Sequence, residues 1–102
     1  MAISQATVGT SATTLFTSVG NTATTAMFFM NDNGSTRQLT VFIVKSGASA
    51  GTTNTITKAI DVTAGNTYVI NSEKLVLANG DTVQALASHA ASIHATISSV
   101  SI

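Results

Sequence analysis

The chain has 102 residues and a mass of 10.3 kDa, with four Lys/Arg against four Asp/Glu and no Cys, Pro or Trp. Without Cys there is no disulfide framework and no thiolate metal site. A formal charge of zero argues against nucleic acid or an anionic membrane as the partner, since each attracts a basic surplus.

By surface scaling, a chain of this mass exposes about 14,900 Å² unfolded and about 5,400 Å² folded, so one domain spanning residues 1–102 can bury a core unaided. Thr, Val and Ile supply 35 residues, and β-branched side chains suit a pleated sheet better than a helix. In chain order, period-two patterning predicts strands at Ile3–Val8, Thr13–Ser18, Thr24–Met30, Arg37–Lys45, Thr55–Val62, Thr67–Ile70, Thr82–Ser88 and Ser92–Ile102. Turn residues separate them at Gly20-Asn21, Asn31-Asp32-Asn33-Gly34, Gly47–Gly51, Ala64-Gly65-Asn66 and Asn79-Gly80-Asp81. Lys74–Leu77 reads either as a short strand or as a crossover. Only Ser72–Val76 and Ser88–Ser92 leave room for one helical turn. About eight short strands at this spacing predict an all-β fold, an antiparallel β-sandwich of jelly-roll or immunoglobulin-like type. In the last strand the apolar parity changes between Ile93, Ala95, Ile97 and Val100, Ile102, which predicts a bulge or an exchange of partner near Ser98-Ser99. Residues 1–11 carry the weakest pattern and are a candidate N-terminal arm that reaches a neighbour.

Charged residues are 8% of the chain, against about 25% in an average soluble domain. The polar surface must therefore come from 18 Thr, 12 Ser, seven Asn and three Gln. Such a skin fits a soluble extracellular β-domain. It fits better a subunit packed against others, because little charge repulsion keeps free copies apart. Two segments favour the second reading. Ala26-Met27-Phe28-Phe29-Met30 and Val41-Phe42-Ile43-Val44 are apolar on both strand faces, whereas a two-layer sandwich buries one face of each sheet. Either a terminus or loop of the same chain covers the second face, or a neighbouring subunit does. Gly47–Gly51 is small and flexible, a poor lid, so the subunit is the favoured cover. Met27, Phe28, Phe29, Met30, Phe42 and Val44 are the expected core and interface anchors.

Catalytic groups are scarce. No phosphate-binding glycine loop or dinucleotide fingerprint occurs, and no enzyme activity, cofactor or metal is expected. His89 and His94 flank a turn and are too far apart to put two ligands on one strand face; Asp32, Asp61, Glu73 and Asp81 are scattered. Asn31-Asp32-Asn33-Gly34 lacks the carboxylates of a calcium loop and reads as a tight hairpin joining the two most apolar strands. Arg37, Lys45, Lys58 and Lys74 form no basic cluster.

The run Asp61-Val62-Thr63-Ala64-Gly65-Asn66-Thr67-Tyr68-Val69-Ile70, the segment Leu75-Val76-Leu77-Ala78-Asn79-Gly80-Asp81-Thr82-Val83-Gln84-Ala85 and the strand Ile93-His94-Ala95-Thr96-Ile97 together resemble small virion structural proteins of tailed bacteriophages. Phe28–Gly34 and Leu39–Val44 resemble the central hairpin of that group. The likeness spans residues 22–102 and rests on turn chemistry. It implies a β-sandwich on the capsid surface, a decoration (cement) protein that stabilises the phage head by bridging capsid subunits. A tail or neck component, including a receptor-binding tail tip, is the alternative. The implied partners are further copies of the chain, in a homo-oligomer such as a trimer, and the major capsid protein or other virion proteins. No catalytic residue is carried over.

Overall fold

The computed structural model describes residues 2–71 and 74–102. The described residues form nine strands: β1 (Ala2–Val8), β2 (Thr13–Thr17), β3 (Thr22–Asn31), β4 (Arg37–Val44), β5 (Thr55–Val62), β6 (Thr67–Ile70), β7 (Val76–Leu77), β8 (Thr82–Ala87) and β9 (Ile93–Ser101). Every strand pairing is antiparallel. The fold is an all-β sandwich. One sheet runs β1-β9-β3-β6, with β7 also on β3, and the other runs β2-β8-β4-β5. Leaving out the two-residue β7, the pairs β1·β9, β2·β8, β3·β6 and β4·β5 nest inside one another along the chain. Nested pairs rolled into two sheets make a jelly roll, which decides between the two sandwich types expected.

The core lies between the sheets. Val8, Met27, Phe29, Ile93, Ala95 and Ile97 reach it from the five-stranded sheet, and Leu15, Leu39, Val41, Val62, Val83, Ala85 and Ala87 from the other. β9 buries Ile93, Ala95, Ile97 and Ser99 without interruption, so its parity does not change. The expected bulge belongs to its partner. Thr24 pairs with Ser99 and Ala26 with Ser98, which leaves Thr25 extra on β3. Before it β3 buries Thr22 and Thr24, after it Met27, Phe29 and Asn31. The buried polar Ser99 hides this from an apolar pattern.

Asn31–Gly34 is not a hairpin. β3 and β4 belong to different sheets, so this segment is a corner between layers. Asn31 is fully buried and makes that corner. Its Nδ2 donates to the carbonyls of Val62 (2.8 Å) and Ser35 (2.9 Å), and its Oδ1 accepts the Asn33 amide at 2.9 Å. Its backbone donates to Asn66 O and accepts from Gly65 N. One residue thus ties the end of β3 to β5 through its side chain and to the β5–β6 turn through its backbone.

The opposite end is held by Asp81, whose carboxylate accepts the amides of Ser46 (3.0 Å) and Ala78 (2.9 Å). Gly80 donates to Ser18 O, and Ser18 N donates to Asp81 O. Gly80 has φ +88°, and a Cβ there would come within 2.6 Å of Ser46 Oγ, so only glycine fits. The two backbone N–H donors, of Ser46 first and Ala78 second, hold the Asp81 carboxyl below its ordinary value of 3.8.

Residues 2–8, within the stretch expected as an arm, are paired with β9 from Ala2↔Ser99 to Val8↔Ile93, because Ala6 and Val8 pack on the core; Met1 lies outside the described residues. The helical turn considered at Ser72–Val76 includes Ser72 and Glu73, which also lie outside them. No helix forms at Ser88–Ser92. The one helical element among the described residues is a 3-10 turn at Thr52–Asn54.

Phe29→Ala is expected to cost about 3–5 kcal/mol in urea denaturation and Phe28→Ala about 1 kcal/mol or less, since only the first empties a core site. Asn31→Leu keeps the branched shape but strands the Val62 carbonyl and the Asn33 amide and adds bulk at a fully buried site, for an expected loss of about 2–4 kcal/mol. The lowered Asp81 value adds stability above pH 3.8 that is lost as the pH falls through the folded-state value. Asp81→Asn should therefore flatten the acid limb of a stability–pH curve, and an unchanged limb would show the contact to be without effect.

Candidate functional site

Alternation along a strand sends consecutive side chains to opposite sides of the sheet. With Met27 and Phe29 in the core, Phe28 and Met30 must point out of the five-stranded sheet, and they do, 40% and 37% exposed. Phe28 lies between Thr96 of β9 and Val69 of β6, and Met30 between His94 and Thr67. Beyond β9, Gln5 stands beside Thr96, Thr7 beside His94 and Ile3 beside Ser98. Val69 is 39% exposed, and Ile56, on the edge strand of the other sheet, lines the same shallow cleft as Val69. An apolar ridge therefore runs across the face and turns over its edge, within a field of hydroxyls and one amide.

The strands of this sheet contain no Asp, Glu, Lys or Arg; the other sheet carries Arg37, Lys58 and Asp61. Two charges border the uncharged face. Asp32 lies 3.8 Å from His94 Nε2, with His94 Nδ1 3.0 Å from Thr7 Oγ1. Lys74 Nζ donates to the Thr25 carbonyl at 2.9 Å and to the Asn71 carbonyl. Lys74 thus satisfies a carbonyl at the bulge, and Thr25 Oγ1 donates to Ser98 Oγ at 2.7 Å beside it.

The outer face of the four-stranded sheet is different. Phe42 and Val44 are buried, yet neither belongs to the core cluster. The chain between β4 and β5 folds back, and Ala50, Gly51 and Thr52 wall a groove of 590 Å³ floored by Phe42, Thr40 and Leu86. This loop, expected to be a poor lid, is the lid. It holds its shape because Asn54 Oδ1 accepts the Gly51 amide, Asn54 Nδ2 donates to Ser49 O, and Thr55 Oγ1 donates to Gly51 O. Phe42 keeps 7% exposure and needs no neighbouring subunit.

Of the six expected anchors, Met27 and Phe29 are core, Phe42 and Val44 are covered by the chain itself, and Phe28 and Met30 remain open. Val69 and Ile56 were not singled out from the sequence. Their signal is the run Tyr68-Val69-Ile70, apolar on both faces, and Ile56 at an irregular edge. His89 is exposed, with Nδ1 3.1 Å from Ser88 Oγ. Among the described residues no group of three or more His, Asp or Glu is placed to hold a metal.

No protein-family model, curated protein or solved structure matches the chain.

Because Phe28 and Met30 pack on no core, the double variant Phe28→Ser/Met30→Ser is expected to lose no more than about 1–2 kcal/mol of stability. It should also bind less of a hydrophobic dye such as ANS. A loss equal to that of Phe29→Ala would mean the face is not solvent-exposed.

Proposed function

We propose that this chain is a non-catalytic virion structural protein of the tailed-phage type, a capsid decoration (cement) protein. It binds at the capsid surface across subunit seams, through the outer face of its five-stranded sheet. The observation that carries this reading is that open face, uncharged along its strands, with Phe28, Met30 and Val69 at its centre.

Magnitudes favour a repeated, lattice-bound contact over a single one. Burying the open parts of Phe28, Met30 and Val69 removes on the order of 200 Å² of apolar surface, or about 5 kcal/mol. Association costs about 4–15 kcal/mol in lost freedom, so the ridge alone does not hold a lasting one-to-one complex. It suffices where surrounding hydroxyls complete the contact and where each copy straddles two capsid subunits, since the second contact is then effectively intramolecular. The jelly-roll architecture is also found in viral capsid domains, an analogy of fold that adds weight only beside the site. Lectin domains share it as well, but the loops among the described residues present no aromatic platform or carboxylate cluster for a sugar.

The test is co-sedimentation of the purified chain with shells assembled from the capsid protein encoded alongside it. Binding should saturate, persist at raised salt because few charges take part, raise the temperature of shell disruption, and fall at least about tenfold with Phe28→Lys. Absence of shell binding, or binding that Phe28→Lys leaves intact, would overturn the proposal.

A further inference from the structure

A sandwich of two open sheets has four edges, and each displays unpaired backbone N–H and C=O groups that template pairing with another strand. Three of the edges here are blunted. β5 has two register shifts against β4, carries Lys58 and Asp61, and contains Ala59 at φ +51°, so its outer line of donors and acceptors is broken. β2 has five residues and a register shift between Thr14 and Phe16. β6 has only four residues. β1 has none of these devices. It is seven residues long, pairs with β9 in unbroken register, and contains no charge and no proline. No hydrogen bond from a loop or side chain reaches the backbone of residues 2–8 among the described residues.

We propose that β1 is a self-pairing edge. Two copies of the chain join β1 to β1 in antiparallel fashion about a two-fold axis, fusing their five-stranded sheets into one continuous sheet. A second copy is the occupant because the edge is self-complementary. Antiparallel pairing of a strand with itself is two-fold by construction, and every residue then meets a member of the same uncharged set, Ala2-Ile3-Ser4-Gln5-Ala6-Thr7-Val8. With the axis near Gln5, Ile3 lies opposite Thr7 of the partner, which covers an isoleucine that is otherwise largely open. The pairing sets two copies of the uncharged face side by side on one surface. It is independent of the capsid-binding proposal, because it uses the strand edge and not the Phe28 ridge.

The chain lacks cysteine, so a single introduced thiol reports contact directly. Light scattering after size exclusion, over a concentration series of the intact protein, should show a species of twice 10.3 kDa that dissociates on dilution. Gln5→Cys should give a disulfide-linked dimer under mild oxidation, and His94→Cys, on the same face but one strand inward, should not. Gln5→Lys places like charges opposite each other and should raise the dimer dissociation constant about tenfold with an unchanged circular dichroism spectrum. Phe28→Lys should leave dimerisation intact while reducing shell binding, which separates the two proposals. A monomer up to the solubility limit, an oligomer of another order, or a dimer indifferent to Gln5→Lys would each overturn the pairing. Should Gln5→Lys disturb the fold, Gln5→Cys remains a decisive readout, since equal cross-linking at positions 5 and 94 would also overturn it.

Discussion

The structure depends on one alternation. Met27, Phe28, Phe29 and Met30 are consecutive on a strand, so two must face one way and two the other. Which two is settled by the extra residue at Thr25. Upstream of it β3 turns threonines inward; downstream it turns Met27 and Phe29 inward. A register slip of one residue would bury Phe28 and Met30 and expose the other pair. Thr25 bonded to Ser98, and Lys74 on the Thr25 carbonyl, fasten the bulge where it has this effect. Core and open face are thus two products of one strand.

Much of this was legible in the sequence, and the part that was not has a physical explanation. Strand positions were plain because turns rich in Gly and Asn punctuate β-branched alternation; β5 and β6 fall at the expected bounds. Sheet membership was not, because an Asn-Asp-Asn-Gly segment serves a hairpin or a corner equally well. What decides is the reach of Asn31 to the Val62 carbonyl, a contact between residues 31 apart. The apolar pattern points to β9 while the bulge lies on β3, since Ser99 is buried where a hydrophobic residue would show the parity. β3 has an open second apolar face, whereas the second face of β4 lies under the chain's own loop and not under a neighbouring subunit. A loop of small residues has no pattern that marks it as a lid; what stiffens it is the cross-bracing by Asn54 and Thr55.

The two outer faces of the sandwich have therefore been treated differently. The four-stranded sheet carries all of the strand charges, and its outward-facing aromatic, Phe42, is covered by the chain's own loop. The five-stranded sheet carries none of those charges, and its aromatic has no roof. In a free monomer the cheaper arrangement is the reverse, with charge on the broad open face and the apolar residues under cover. The asymmetry is what a subunit needs when one side is meant for contact and the other for solvent.

A face that lacks charge must gain its specificity by other means. Ion pairs steer partners over distance and penalise wrong ones through like-charge contact. Hydroxyls and a single ridge act only at contact, through shape and short hydrogen bonds. Such a surface recruits slowly and holds weakly one copy at a time, so it is suited to a partner that offers many identical sites. The neutral β1 edge fits the same logic. If copies pair there, the two ridges become rigidly connected, and the loss of freedom that a single ridge of this size barely offsets is shared between two. Low charge, an open ridge and an unguarded edge would each be a liability in an isolated globule. Together they suit the assembled role proposed above better than that of a free globule.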